Sequence, residues 1–178
     1  KVIKLRRNFG KSGAYSEAFK KASGKYIATM DGDLQDAPDE IPRLLTKINE
    51  GYDLIVGRKA TGKSSFIAFI LSRSLNKLVK RLTRLDINDI NCPMRLGKHE
   101  VFQNLNLSGA MYRYIPFIIA NQGYKVCEHN VANRDRLHGQ SKYSSSTYIG
   151  GALDLFSLVF IERFSEYPMR VFGIPAII

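Results

Sequence analysis

The chain has 178 residues, 44% of them hydrophobic, and a formal net charge of +11. That length and apolar share exclude a disordered chain and fit about one domain with a sizeable core. The charge favours anionic partners (nucleotides, phosphates, nucleic acid or an anionic membrane surface) without choosing among them, and Cys92 and Cys127 lack metal-ligand spacing and read as reduced structural thiols.

In chain order, Val2–Leu5 reads as a strand. A basic, glycine-containing loop follows, Arg6-Arg7-Asn8-Phe9-Gly10-Lys11-Ser12-Gly13, and then a helix over Ala14–Ala22. Arg6, Arg7 and Lys11 fit either a solvated basic face or phosphate contact. Tyr26–Met30 is an apolar run of strand length that ends in Asp31-Gly32-Asp33-Leu34-Gln35-Asp36-Ala37-Pro38. Two carboxylates at the C-terminal end of a buried strand, with the Gln35 amide beside them, form a hard oxygen set suited to Mg²⁺ or Mn²⁺. The plainer reading is that Asp31 and Asp36 cap a turn and the next helix. That helix has Pro38 in its first turn and an apolar stripe at Ile41, Leu44, Leu45 and Ile48, and it ends at Gly51. Tyr52–Val56 is a further strand. The alternation of strands and helices points to an α/β fold with a parallel sheet.

Gly57-Arg58-Lys59-Ala60-Thr61-Gly62-Lys63-Ser64 matches the P-loop pattern and lies between a predicted strand and a predicted helix. An NTPase using Lys63 and Ser64 is therefore a rival reading, weakened because the acidic strand precedes the loop in the chain. A basic module for membrane surface or nucleic acid is the non-enzymatic rival, and it has no need of paired aspartates. Ser65–Leu82 reads as a long amphipathic helix. Helical runs are expected around His99–Asn104 and Met111–Asn121, and Tyr124–Asn133 alternates as a strand. Tyr148–Phe164 and the segment from Pro168 are strongly apolar and aromatic, which suits a headgroup boundary. No uninterrupted apolar run reaches the ~20 residues of a spanning helix.

The stretch Asp31 to Pro38 resembles the DxDLQ-x-x-P signature of family 2 glycosyltransferases. The resemblance is to the branch acting on polyprenyl phosphates, which includes dolichol-phosphate mannose synthase and bacterial undecaprenyl-phosphate sugar transferases. It runs along nearly the whole chain. Arg6–Gly10 is similar to the family's LRRNFG segment and Gly57-Arg58-Lys59 to its G-x-R. Ser72-Arg73-x-x-Asn76 resembles S-R-x-x-N, although Ala68 stands where a second arginine is usual. Asp89 to Arg95 resembles D-x-x-C-x-x-R, and Gly109 to Pro116 resembles G-E-M-H-R-F-I-P with Ala110 and Tyr112 in place of Glu and His. Arg134 to Tyr143 is similar to R-x-x-G-x-S-K-Y.

The resemblance implies a GT-A-type, Rossmann-like domain with a mostly parallel sheet over 1–147, followed by interfacial helices over 148–178 that lead toward a membrane segment. It implies transfer of a sugar from a nucleotide diphosphate to a polyprenyl-phosphate lipid, with inversion, at the cytoplasmic face of a membrane and without nucleic acid; a homo-oligomer is left open. Asp31, Asp33 and Gln35 are the expected ligands of Mg²⁺ or Mn²⁺. Asp89 is expected to orient acceptor or sugar. Arg58, Ser72 and Arg73 are expected to hold the acceptor phosphate, and Arg134, Arg136, Ser141 and Lys142 to form a mobile loop over the phosphates. The chain is also expected to be a fragment lacking the family's first strand, with its base pocket.

Overall fold

A computed structural model describes residues 2–59, 80, 85–132 and 134, all within the first of the chain's two compact units, Lys1–Lys142. Its order is α1 (Gly10–Lys21), β1 (Tyr26–Thr29), a 3₁₀ turn (Pro38–Glu40), α2 (Ile41–Asn49), β2 (Leu54–Lys59), β3 (Arg95–Lys98), α3 (Glu100–Gln103), a second 3₁₀ turn (Met111–Tyr114), α4 (Ile115–Asn121) and β4 (Val126–Val131). The expectations on the helix Ser65–Leu82 (Lys80 apart), on the loop beyond Arg134 and on 148–178 lie outside the described residues.

The strands form one four-stranded sheet in the order β1-β3-β2-β4. The sheet is mixed, with three of these four strands running the same way, as expected of a GT-A-type α/β domain, and one reversed. β3 runs antiparallel to both β1 and β2, while β2 and β4 are parallel, with Val56 opposite Glu128 and Lys59 opposite Val131. β1, β2 and β4 therefore point the same way, and β3 fills the place between β1 and β2. Thr29 of β1 and Val56 of β2 both face Arg95 across it.

Leu54, Ile55 and Val56 are each fully buried. Consecutive strand residues point to opposite faces, so both faces of the sheet are covered, as in an α/β fold. α2 packs on β2 and β3 through Leu44 and Ile48, the buried half of its predicted stripe, and α4 packs on β2 and β4. Each fully buried Leu or Ile contributes about 1.5–3 kcal/mol. α1 joins this core through Phe19, whose ring lies 4.6 Å from that of Phe102. Two glycines permit close approach in the sheet. A Cβ on Gly57 would meet Val131 Cγ2 at 2.9 Å and Cys92 Sγ at 3.1 Å, and one on Gly97 would meet Phe102 Cε2 at 2.8 Å.

Three local expectations change. Val2–Leu5 has no strand pairing among the described residues. α1 starts at Gly10, not Ala14, so the basic loop is partly helix. Asp36 caps no helix, because α2 is preceded by the 3₁₀ turn and shows no side-chain cap. Among the described residues no helix is long and apolar enough to cross a membrane.

Candidate active site

The ends of β1 and β2 and the start of β3 meet at one edge of the sheet, and the aspartates of the 31–36 turn sit there. Asp36 organises the turn. Its side chain is 1% exposed, its Oδ1 pairs with Lys59 Nζ at 2.6 Å, and its Oδ2 accepts the backbone N–H of Asp31 at 2.8 Å. A buried carboxylate with both oxygens engaged fixes the position of the half-exposed Asp31 above it. Asp31 Oδ1 in turn pairs with Lys11 Nζ at 2.5 Å. That ammonium lies against the rings of Tyr112, at 5.3 Å, and Tyr15, at 5.8 Å. Burial works against the charged form of Lys11, yet the bond to Asp31 and the neighbouring tyrosines leave its pKa raised.

Within the turn, Asp33 Oδ1 accepts the Gln35 N–H at 3.2 Å. Leu34 has φ 65° and is 61% exposed. A non-glycine residue in the left-handed region costs of order 1–3 kcal/mol, and such strain gathers at functional sites. Here the surrounding bonds to Asp31, Gln35 and Asp36 hold it.

On the β2 side, the Lys59 backbone N–H bonds the Asp89 carboxylate. Burial raises the Asp89 pKa, against that bond, and the negative charge of Glu128 adds to the rise. Glu128 of β4 accepts from Asn88 N at 2.8 Å, Asp89 N at 2.7 Å and Asn88 Nδ2 at 2.6 Å. Its Oε2 is 3.8 Å from the Arg58 guanidinium. Beneath these groups lies Arg95, 1% exposed, donating to Tyr112 O at 3.1 Å and Ile90 O at 3.3 Å. Burial draws its pKa down, while Tyr15, Cys92, Asp89 and Asp31 oppose that shift. Burial also pushes the neighbouring Cys92 thiol up to about 12, so it is no nucleophile.

The sequence-predicted residues thus fall as follows. Asp31, Asp33 and Gln35 share one turn, and the Gln35 carbonyl accepts the Arg134 N–H at 2.9 Å. The candidate phosphate loop therefore leaves β4 beside the aspartate turn, although the Arg134 guanidinium pairs with Asp39 at 2.8 Å. Asp89 and Arg58 come together through Glu128. Ser72, Arg73, Arg136, Ser141 and Lys142 lie outside the described residues. Sequence reasoning missed Asp36 as the organiser, Lys59 and Glu128; alternation along 124–133 was the only signal for the last. Gly57, Arg58 and Lys59 are ladder residues of β2, and the Gly57 N–H donates to Met94 O at 2.8 Å. Three of the eight residues of the P-loop pattern are thus committed to the sheet, which argues against the NTPase reading.

The family described as glycosyl transferase family 2 matches residues 1–105. The chain belongs to glycosyl transferase family 2. Among curated relatives of the family, it is 34% identical over 177 residues to dodecaprenyl-phosphate galacturonate synthase of Rhizobium johnstonii, covering 97% of this chain and 52% of that one. It is 31% identical over 154 residues to undecaprenyl-phosphate 4-deoxy-4-formamido-L-arabinose transferase of Pseudomonas aeruginosa, covering 86% and 45%. The chain spans about half the length of the curated relatives it matches. Glucosyl-3-phosphoglycerate synthase from Mycobacterium tuberculosis, solved with Mn²⁺ and uridine-diphosphate-glucose, superposes with a TM-score of 0.63 at 14% identity, covering 90% of this chain and 56% of that one. That likeness establishes the GT-A-type α/β fold.

Proposed function

We propose that this family 2 glycosyltransferase moves a sugar from a nucleotide diphosphate donor to a polyprenyl monophosphate at the cytoplasmic face of a membrane. The observation that carries the reading is a continuous run of charged residues, linked one to the next by ion pairs and hydrogen bonds along one sheet edge: Lys11, Asp31, Asp36, Lys59, Asp89, Glu128 and Arg58. The relatives named for dodecaprenyl and undecaprenyl phosphate supply the acceptor class.

A phosphate monoester has a second pKa near ~6, so the acceptor oxygen is largely anionic at neutral pH and needs no strong protein base. One acceptor oxygen bonds to the anomeric carbon as the bond from that carbon to the donor diphosphate breaks, and the configuration inverts. The protein's task is alignment and stabilisation of departing charge. Arg58 holds the acceptor phosphate together with Ser72 and Arg73, Asp89 orients the reacting sugar or acceptor, and Arg134, Arg136, Ser141 and Lys142 contact the phosphates. Asp31, Asp33 and Gln35 fit a divalent cation. All three offer hard oxygens on one turn, and a set of this size suits Mg²⁺ or Mn²⁺, which keep open positions for substrate phosphates. The bound ion supplies Lewis-acid neutralisation of the leaving diphosphate. The apolar, aromatic stretch 148–178 is the proposed membrane-interface element, with 1–147 as the catalytic domain.

The test uses full-length protein with Mn²⁺, radiolabelled nucleotide sugars and polyprenyl phosphate. Asp33→Ala is expected to abolish label transfer to lipid without lowering the melting temperature. Full wild-type transfer in excess EDTA refutes the metal assignment.

A further inference from the structure

We infer that Glu128 is a positioning residue of the acceptor side, fixing the turn that carries Asp89 and holding Arg58 next to it. The inference deepens the proposed function and rests on that reading for what Asp89 and Arg58 do.

Glu128 lies on β4, opposite Val56, and its side chain is 8% exposed. It accepts three hydrogen bonds of 2.6–2.8 Å, all from the adjacent residues Asn88 and Asp89. No secondary structure spans 85–89, so this carboxylate, together with the Lys59 N–H bond to Asp89, ties the turn to the sheet. The arginine contact is longer, at 3.8 Å, and Arg58 is half exposed. Such a pair is weak in itself but directs the guanidinium toward the Asp89 side of the site. A neutral acceptor would anchor the turn nearly as well. The charge matters because the groups facing Asp89 are Lys59 from β2, Arg95 from β3, Glu128 from β4 and Cys92 from its own segment. Glu128 is the only anion among them, so it offsets the two cations.

Glu128→Gln in the full-length enzyme keeps an oxygen for the two backbone N–H groups but removes the charge and turns an amide toward Asn88 Nδ2. The KM for polyprenyl phosphate is expected to rise roughly tenfold, the scale of a lost charge-assisted bond, with donor KM unchanged. The acidic limb of the kcat/KM profile is expected to move to lower pH, because Asp89 loses an anionic neighbour. Glu128→Asp, which keeps the charge, is expected to restore that limb. Equal changes in both KM values with an unmoved limb overturn the inference and leave Glu128 as scaffold. Should Glu128→Gln fail to fold, Asn88→Asp carries the same KM test: it keeps an oxygen for Lys80 Nζ, which donates to Asn88 Oδ1 at 2.8 Å, and removes the Nδ2 bond to Glu128. Amide exchange reads the geometry without catalysis. In wild type the Asn88 and Asp89 amides are expected to be protected, and in Glu128→Ala roughly tenfold faster; unchanged exchange also overturns the inference. If wild type transfers no sugar to polyprenyl phosphate, the function reading fails while the exchange result still decides the positioning claim.

Discussion

The two edges of the sheet each carry a lysine–aspartate pair at 2.6 Å, Lys59–Asp36 and Lys98–Asp53. Bond length does not tell them apart; surroundings do. Asp36 is almost fully buried and its second oxygen holds the Asp31 N–H, so the pair sets the position of a candidate metal ligand. Asp53 is more open, and its second oxygen accepts the Lys125 N–H at 2.8 Å, so that pair clasps the starts of β2 and β4 together. The first is built into chemistry, the second into the fold. An ion pair is therefore informative about function only through what its remaining atoms hold.

Breaking the buried pair gives the largest expected effect. Asp36→Asn leaves the Lys59 ammonium without its counter-charge in a desolvated place, at a cost of about 3 kcal/mol. It also loosens the Asp31 turn, and misplacement on the ångström scale lowers turnover roughly 100-fold. Urea denaturation and steady-state transfer kinetics measure the two losses.

Gly57→Ala sharpens the comparison from within β2. Its Cβ would lie 3.0 Å from Met94 O and 2.9 Å from Val131 Cγ2. Overpacking of this kind costs about 1–3 kcal/mol, and the strain falls beside Arg58 and Lys59. Reduced stability with lowered activity is expected, read by the same two assays.

Breaking the open pair gives the smallest effect. Burial works to raise the Asp53 pKa, but Lys98 and the Lys125 N–H prevail and hold it below its ordinary 3.8. A depressed folded-state pKa contributes stability that is fully present above the unfolded value and is lost as pH falls through the folded one. Asp53→Asn is therefore expected to cost less than about 1 kcal/mol at pH 7 and progressively less below about pH 4, with transfer activity retained. Melting curves at the two pH values test this. Loss of activity in Asp53→Asn equal to that in Asp36→Asn would erase the distinction between the edges.

Local sequence determined a good part of this protein. The apolar run ending in Asp31-Gly32-Asp33 forms β1 and its turn, and the 41–48 stripe forms α2 with Leu44 and Ile48 buried. The alternation after Tyr124 forms β4. For β1 and α2 the pattern of one segment suffices, because the segment buries its own face or stripe; in β4 Val131 is buried and the other side chains are half-buried or exposed, so the alternation gives the strand but not its buried face. Tertiary structure decided the rest. Arg95–Lys98 has no alternation and contains a glycine, yet it is a central strand because β1 and β2 each offer it an open ladder and Phe102 packs on Gly97. Asp36 reads as a helix cap until Lys59 arrives from another strand. Glu128 reads as one polar residue of an alternating strand until Asn88 and Asp89, 40 and 39 positions away, close on it. Partners so distant are chosen by strand register and by the cost of leaving a buried charge unpaired, and neither is written in the residues beside it.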